Sequence, residues 1–70
     1  MTKPNLLKNW FPRVTYDGGI YFVGVIYNDT KGRFADGSLI HTSMVRRVDF
    51  TTGVVETKNS VYNLDLEEIV

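Results

Sequence analysis

The sequence predicts an all-β domain: a small barrel or strongly curved antiparallel sheet of about five strands, with a short C-terminal turn. Three observations predict it. Residues 36–64 alternate strand-like runs with tight turns. The apolar run IYFVGVIY has the length and composition of a central strand. Turns rich in Gly, Asp and Asn recur at strand spacing along the chain.

Taken in order, residues 1–9 carry the weakest signal. Leu6, Leu7 and Trp10 sit at helical spacing, so this stretch reads either as one helical turn beginning near Pro4 or as an irregular N-terminal arm. Pro12 marks a sheet edge or a strand start, because proline brings no donor to a ladder. Residues 13–16 alternate polar and apolar, and Asp17-Gly18-Gly19 then signals a hairpin. In the run that follows, Ile20, Phe22 and Ile26 share one face, and Tyr21, Val23, Val25 and Tyr27 share the other. Gly24 in its middle points to a bulge or bend. Asn28-Asp29-Thr30 matches a glycosylation sequon, read here as part of a polar loop, and Asp36-Gly37 is a further turn.

A three-strand meander follows. Residues 39–42 form its lead-in. In residues 44–50, Met44, Val48 and Phe50 share a face with Arg46, and alternation makes that the expected core face, with Val45, Arg47 and Asp49 opposite. Thr51-Thr52-Gly53 reads as a three-residue hairpin needing φ > 0 at Gly53. Residues 54–57 return, Lys58-Asn59-Ser60 turns, and residues 61–64 form the last strand. Beyond Leu64, the spacing of Leu66, Ile69 and Val70 suggests a single turn that tucks Ile69 onto the sheet.

Seventy residues make one domain, 1–70. A core of this size rarely supplies more than roughly 3–5 kcal/mol. With no cysteine and a single histidine, His41, neither disulfides nor a Cys/His zinc cluster can supplement it, so no metal and no cofactor is expected. The absence of cysteine and of an apolar leader fits a cytoplasmic protein, and no run approaches a membrane span. Eight basic and eight acidic residues cancel, which argues against strong nonspecific binding of nucleic acid and against mimicry of DNA.

Asp36-Gly37, Ile40, Thr42, Asp49, Thr52-Gly53, Ser60, Tyr62, Leu64 and Ile69 follow the pattern DG-x-x-I-x-T, D-x-x-TG, strand, turn, closing strand, final Ile. In this the chain resembles the small SH3-like domains of bacterial lipoproteins over about half its length. The resemblance implies an SH3-like barrel. The family's leader and lipid-attachment cysteine are missing, so anchoring is not implied. The size, neutral charge and compact segments RFADGSLIHTSMVRRVD and GVVETKNSVYNL also resemble short orphan proteins of phages and prophages. That implies an intracellular accessory or host-interaction role.

Catalysis needs a base, nucleophile or paired acids in a pocket. His41 and Ser43 share a strand face at i and i+2, with nothing to orient the histidine, and Glu67 and Glu68 are adjacent and so face differently. A non-enzyme is expected. Four Tyr, four Phe and one Trp exceed what a core of this size needs, and Tyr and Trp suit interfaces. The expected role is therefore binding of a protein partner, or self-association, through Trp10, Phe11, Tyr16, Tyr21 and Tyr27. The alternative is binding of nucleic acid by a basic patch of Lys31, Arg33, His41, Arg46 and Arg47.

Overall fold

The computed structural model describes residues 3–66. It places six strands in one mixed sheet: β1 (Leu6–Val14), β2 (Ile20–Tyr27), β3 (Ser38–His41), β4 (Val45–Asp49), β5 (Val54–Thr57) and β6 (Val61–Leu64). No helical element occurs among the described residues. The strand order is β3-β2-β1-β6-β5-β4. The sheet curls until β4 approaches β2 across the core, but it does not close into a barrel.

Two features differ from the expected five-strand antiparallel sheet, and both come from the N-terminal stretch. Residues from Leu6 onward are neither a helical turn nor an arm. Leu6 and Leu7 pair antiparallel with Tyr27 and Ile26, and parallel with Asn63 and Leu64. This makes β1 a central strand and the sheet a mixed one. Leu7 is fully buried, and its carbonyl accepts the Asp65 N–H at 2.9 Å. The parallel pairing joins residues more than fifty positions apart, which local spacing does not reveal.

Three asparagines make this geometry possible. Asn5, Asn9 and Asn28 adopt φ of 48°, 52° and 58°, in the left-handed region that asparagine tolerates better than most residues. Asn5 Nδ2 donates to the Val61 carbonyl at 2.9 Å, its Oδ1 accepts the Thr30 N–H at 2.9 Å, and Asn63 Nδ2 donates to the Pro4 carbonyl at 2.8 Å. These bonds lace the start of the chain to β6 and to the β2–β3 loop.

At Asn9 and Trp10, β1 bulges. Lys8 pairs with Val25 and Phe11 with Val23, so two residues oppose Gly24 alone. Gly24 itself is regular, and its missing side chain leaves room for Leu7, whose Cγ would lie 2.8 Å from an added Cβ. Pro12 pairs with Phe22, whose own N–H is held by Thr42 Oγ1 on the β3 side. The nitrogen of Pro12 therefore faces away from β2, along the part of β1 that β6 does not reach.

The expected core face of the fourth strand is also corrected. A bulge between Val45 and Arg47 breaks the alternation, so Val45 and Val48 both pack on the core, while Met44, Arg46 and Phe50 are exposed. The core is Leu7, Phe22, Ile26, Ile40, Val55, Tyr62 and Leu64. Two threonines are buried with it and are satisfied. Thr42 Oγ1 accepts the Phe22 N–H at 3.0 Å and donates to the Ser43 carbonyl at 2.8 Å, and Thr57 Oγ1 donates to the Ser60 carbonyl at 2.9 Å. Leu66 packs against the core, while the rest of the expected C-terminal turn, with Ile69, lies outside the described residues.

Candidate functional site

The outward side of β1, β2 and β3 is the candidate site. Directly paired residues of neighbouring strands share a face. The register therefore sets Leu6, Lys8, Phe11 and Arg13 of β1 beside Tyr27, Val25, Val23 and Tyr21 of β2, and Leu39 and His41 of β3 beside Val25 and Val23. Leu39, on the edge strand β3, is 73% exposed, and Phe11, on the central strand β1, is 44% exposed. The face is an aliphatic strip with an aromatic at each end and cations around it.

The cations lie against the rings. Lys8 Nζ is 5.4 Å from the Tyr27 ring centre and the Arg13 guanidinium 5.9 Å from that of Phe11. Tyr21 and His41 meet edge to face at 5.9 Å. Arg13, Tyr21, Val23, Leu39, Ile40 and His41 line a groove of about 290 Å³. None of the residues of β1, β2 and β3 is acidic. The other half of the sheet differs: β4 and β5 carry Asp49 and Glu56 as well as Arg46 and Arg47, and Arg47 Nε lies 3.9 Å from Glu56 Oε2.

Of the aromatics expected at an interface, the structure brings Phe11, Tyr21 and Tyr27 together on this face. Tyr16 stands fully exposed in the β1–β2 turn. Trp10 points the other way, because the bulge turns it inward. It meets Phe22 edge to face at 5.6 Å, stacks on Phe50 at 6.1 Å, and its Nε1–H donates to the Asp65 carbonyl at 3.0 Å. Its fluorescence should therefore be blue-shifted in the free protein, and iodide should quench it poorly at every dilution. Red-shifted emission with free quenching would take Trp10 off the core.

The basic residues fall on three separate elements. His41 lies on the face just described. Lys31 and Arg33, in the β2–β3 loop, are held by the fold: Lys31 Nζ donates to the Asn59 carbonyl at 2.6 Å and Ser60 Oγ at 3.0 Å, and Arg33 donates to the Tyr62 hydroxyl at 3.3 Å. Arg33 also pairs with Asp29 at 3.5 Å. Burial pushes the Asp29 carboxyl up, but bonds from the Arg33 and Phe34 N–H groups outweigh it and hold the group below the usual carboxylate range. Arg46 and Arg47 lie on β4, exposed, at the far end of the strand order.

His41 and Ser43 do not form a pair: the Ser43 hydroxyl is engaged by Asn59 Nδ2 at 2.7 Å, and His41 Nδ1 lies 3.5 Å from the Thr42 carbonyl. Among the described residues no cluster of three or more His, Cys, Asp or Glu could hold a metal, and no helix is long and apolar enough to cross a membrane. Sequence reasoning missed Lys8, Arg13, Val23, Val25 and Leu39 as site residues. The Asp17-Gly18-Gly19 hairpin carried the signal for Arg13 opposite Tyr21. Lys8 required the bulge as well. No protein-family model matches the chain, and no curated protein or solved structure shows significant similarity to it.

Proposed function

We propose that the chain is a protein-binding module whose contact surface is the outward side of β1, β2 and β3. The observation that supports this best is the continuous apolar strip of Phe11, Val23, Val25 and Leu39, flanked by Tyr21 and Tyr27, left uncovered on a sheet whose other side holds the core. Self-association through this face is disfavoured, because a symmetric pair would bring together two copies of a face whose strands carry Lys8 and Arg13 and no acid. The partner is a different chain.

Benzoylphenylalanine in place of Leu39 should crosslink one discrete partner in cells. The same probe in place of Val61, which is similarly apolar and half exposed but on β6, should not. Phe11→Ser should remove the adduct without lowering the melting temperature. Equal crosslinking from both positions would place the contact elsewhere.

A second reading is single-stranded nucleic acid, favoured by the cations beside Phe11 and Tyr27. It requires affinity for an oligothymidine that falls with salt at a slope of roughly 0.7 per phosphate neutralised, and that Arg13→Ala weakens.

A further inference from the structure

We infer that the partner presents an extended segment, with carboxylates between apolar side chains, that adds to β3 as a further strand. The inference rests on the protein-binding reading above and states how the partner is held. β3 is the last strand of its half of the sheet, and β2 is its sole strand partner among the described residues. The Thr42 N–H donates to the Phe22 carbonyl at 2.8 Å, and antiparallel ladders alternate, so Ile40 also faces β2. The N–H and C=O groups of Leu39 and His41 therefore point away from the sheet, as a short template for another strand.

Apart from its short length, this edge lacks the usual guards. Sheet edges are commonly blunted by lysine, proline, inward charges or bulges. The opposite edge, β4, has a bulge and the charges of Arg46, Arg47 and Asp49. β3 reads Ser38-Leu39-Ile40-His41, regular in register and without proline, lysine or acid. Its four residues span about 13 Å, enough to pair three or four residues of an incoming strand.

The neighbouring groove sets the chemistry of the incoming side chains. Alternate residues of an added strand would lie beside Leu39 and His41, over the apolar floor of Tyr21 and Val23. Arg13 and His41 stand at that groove, and Lys8 lies on the same face. No carboxylate of β1, β2 or β3 answers them, so the complementary ligand brings its own. A second copy of this chain fits poorly, since its β3 carries no carboxylate and its β4 edge brings Arg46 and Arg47 against the single acid Asp49.

The test uses two blocked eight-residue peptides with serine at every second position, so that one face carries valine alternating with glutamate in the first and valine alternating with lysine in the second, titrated into the ¹⁵N-labelled full chain. The valine–glutamate peptide should shift the Leu39 and His41 amides and slow their hydrogen exchange about tenfold or more at saturation. The valine–lysine peptide should bind at least about tenfold more weakly, and Arg13→Glu, an exposed change outside the core, should reverse that preference. Leu39→Pro should abolish protection at the edge while leaving the Thr42 bond to β2, and the Arg13→Glu result stands alone if that variant does not fold. Equal affinity for the two peptides, no binding of either, or shifts on the face without protection of Leu39 and His41 would overturn the inference. A discrete crosslink from position 39 in cells would then leave the protein-binding reading standing by itself.

Discussion

Leu7→Ala should unfold most of the protein at room temperature. Leu7 is fully buried on the central strand, where it packs with Ile26 and Leu64, its directly paired neighbours on β2 and β6. Truncating a buried leucine costs about 2–5 kcal/mol, the spread reflecting how far the site collapses around the cavity. Collapse is limited here, because Leu7 fills the space that Gly24 leaves empty and the strands on either side are fixed by their ladders. The loss is comparable with the roughly 3–5 kcal/mol that a core of this size rarely exceeds. Ile40→Ala should cost less, nearer about 2 kcal/mol, since Ile40 sits on an edge strand with residual exposure. Leu39→Ala, on the outward face, should stay within about 0.5 kcal/mol of the parent. Thermal unfolding followed by circular dichroism orders the three. A Leu7→Ala variant as stable as Leu39→Ala would mean that β1 is not the centre of the sheet.

The same residue shows why part of the fold was legible in the sequence and part was not. Asp17-Gly18-Gly19, Asp36-Gly37 and Gly53 lie in turns, and each of these turns has a glycine at positive φ. The faces of β2 follow strict alternation, with Phe22, Gly24 and Ile26 buried. Those features are local. The position of β1 is not, because it depends on a parallel pairing with β6 across nearly the whole chain, and on left-handed asparagines at Asn5 and Asn9 in a stretch where the helical spacing of Leu6, Leu7 and Trp10 suggested otherwise. The inward turn of Trp10, expected at an interface, and the different core face of β4 have one cause. A bulge shifts the period-two pattern by one, which turns Trp10 inward in β1 and brings Val45 and Val48 to one side in β4. The candidate site inherited this. Phe11, Tyr21 and Tyr27 were visible as an aromatic surplus and the hairpin sets Arg13 opposite Tyr21, but Lys8 becomes visible on the face only once the bulge in β1 fixes the register.

Gly53→Val should be the most damaging change outside the apolar core. Gly53 has φ of 82°, and its N–H donates to the Asp49 carbonyl at 2.7 Å, closing the β4–β5 turn. A β-branched residue in that region carries strain of about 1–3 kcal/mol. A second cost is specific to this glycine. A Cβ there would lie 2.8 Å from the Leu64 carbonyl oxygen, and that part of β6 is held in turn by the bond from the Leu64 N–H to the Gly53 carbonyl at 2.7 Å. Relieving the clash means moving backbone between β5 and β6, which overpacking data place at about 1–3 kcal/mol more. Gly37 separates the two costs. Its φ is 89°, yet no atom lies within 4 Å of the position a Cβ would take. Gly37→Ala therefore carries backbone strain alone, about 1–2 kcal/mol, while Gly53→Ala carries strain and close approach together. Urea unfolding should rank Gly53→Val below Gly53→Ala, and Gly53→Ala below Gly37→Ala. If the two alanine variants are equally stable, the close approach of Gly53 to β6 is absent in solution, and with it the packing that joins the β4–β5 hairpin to the central strands.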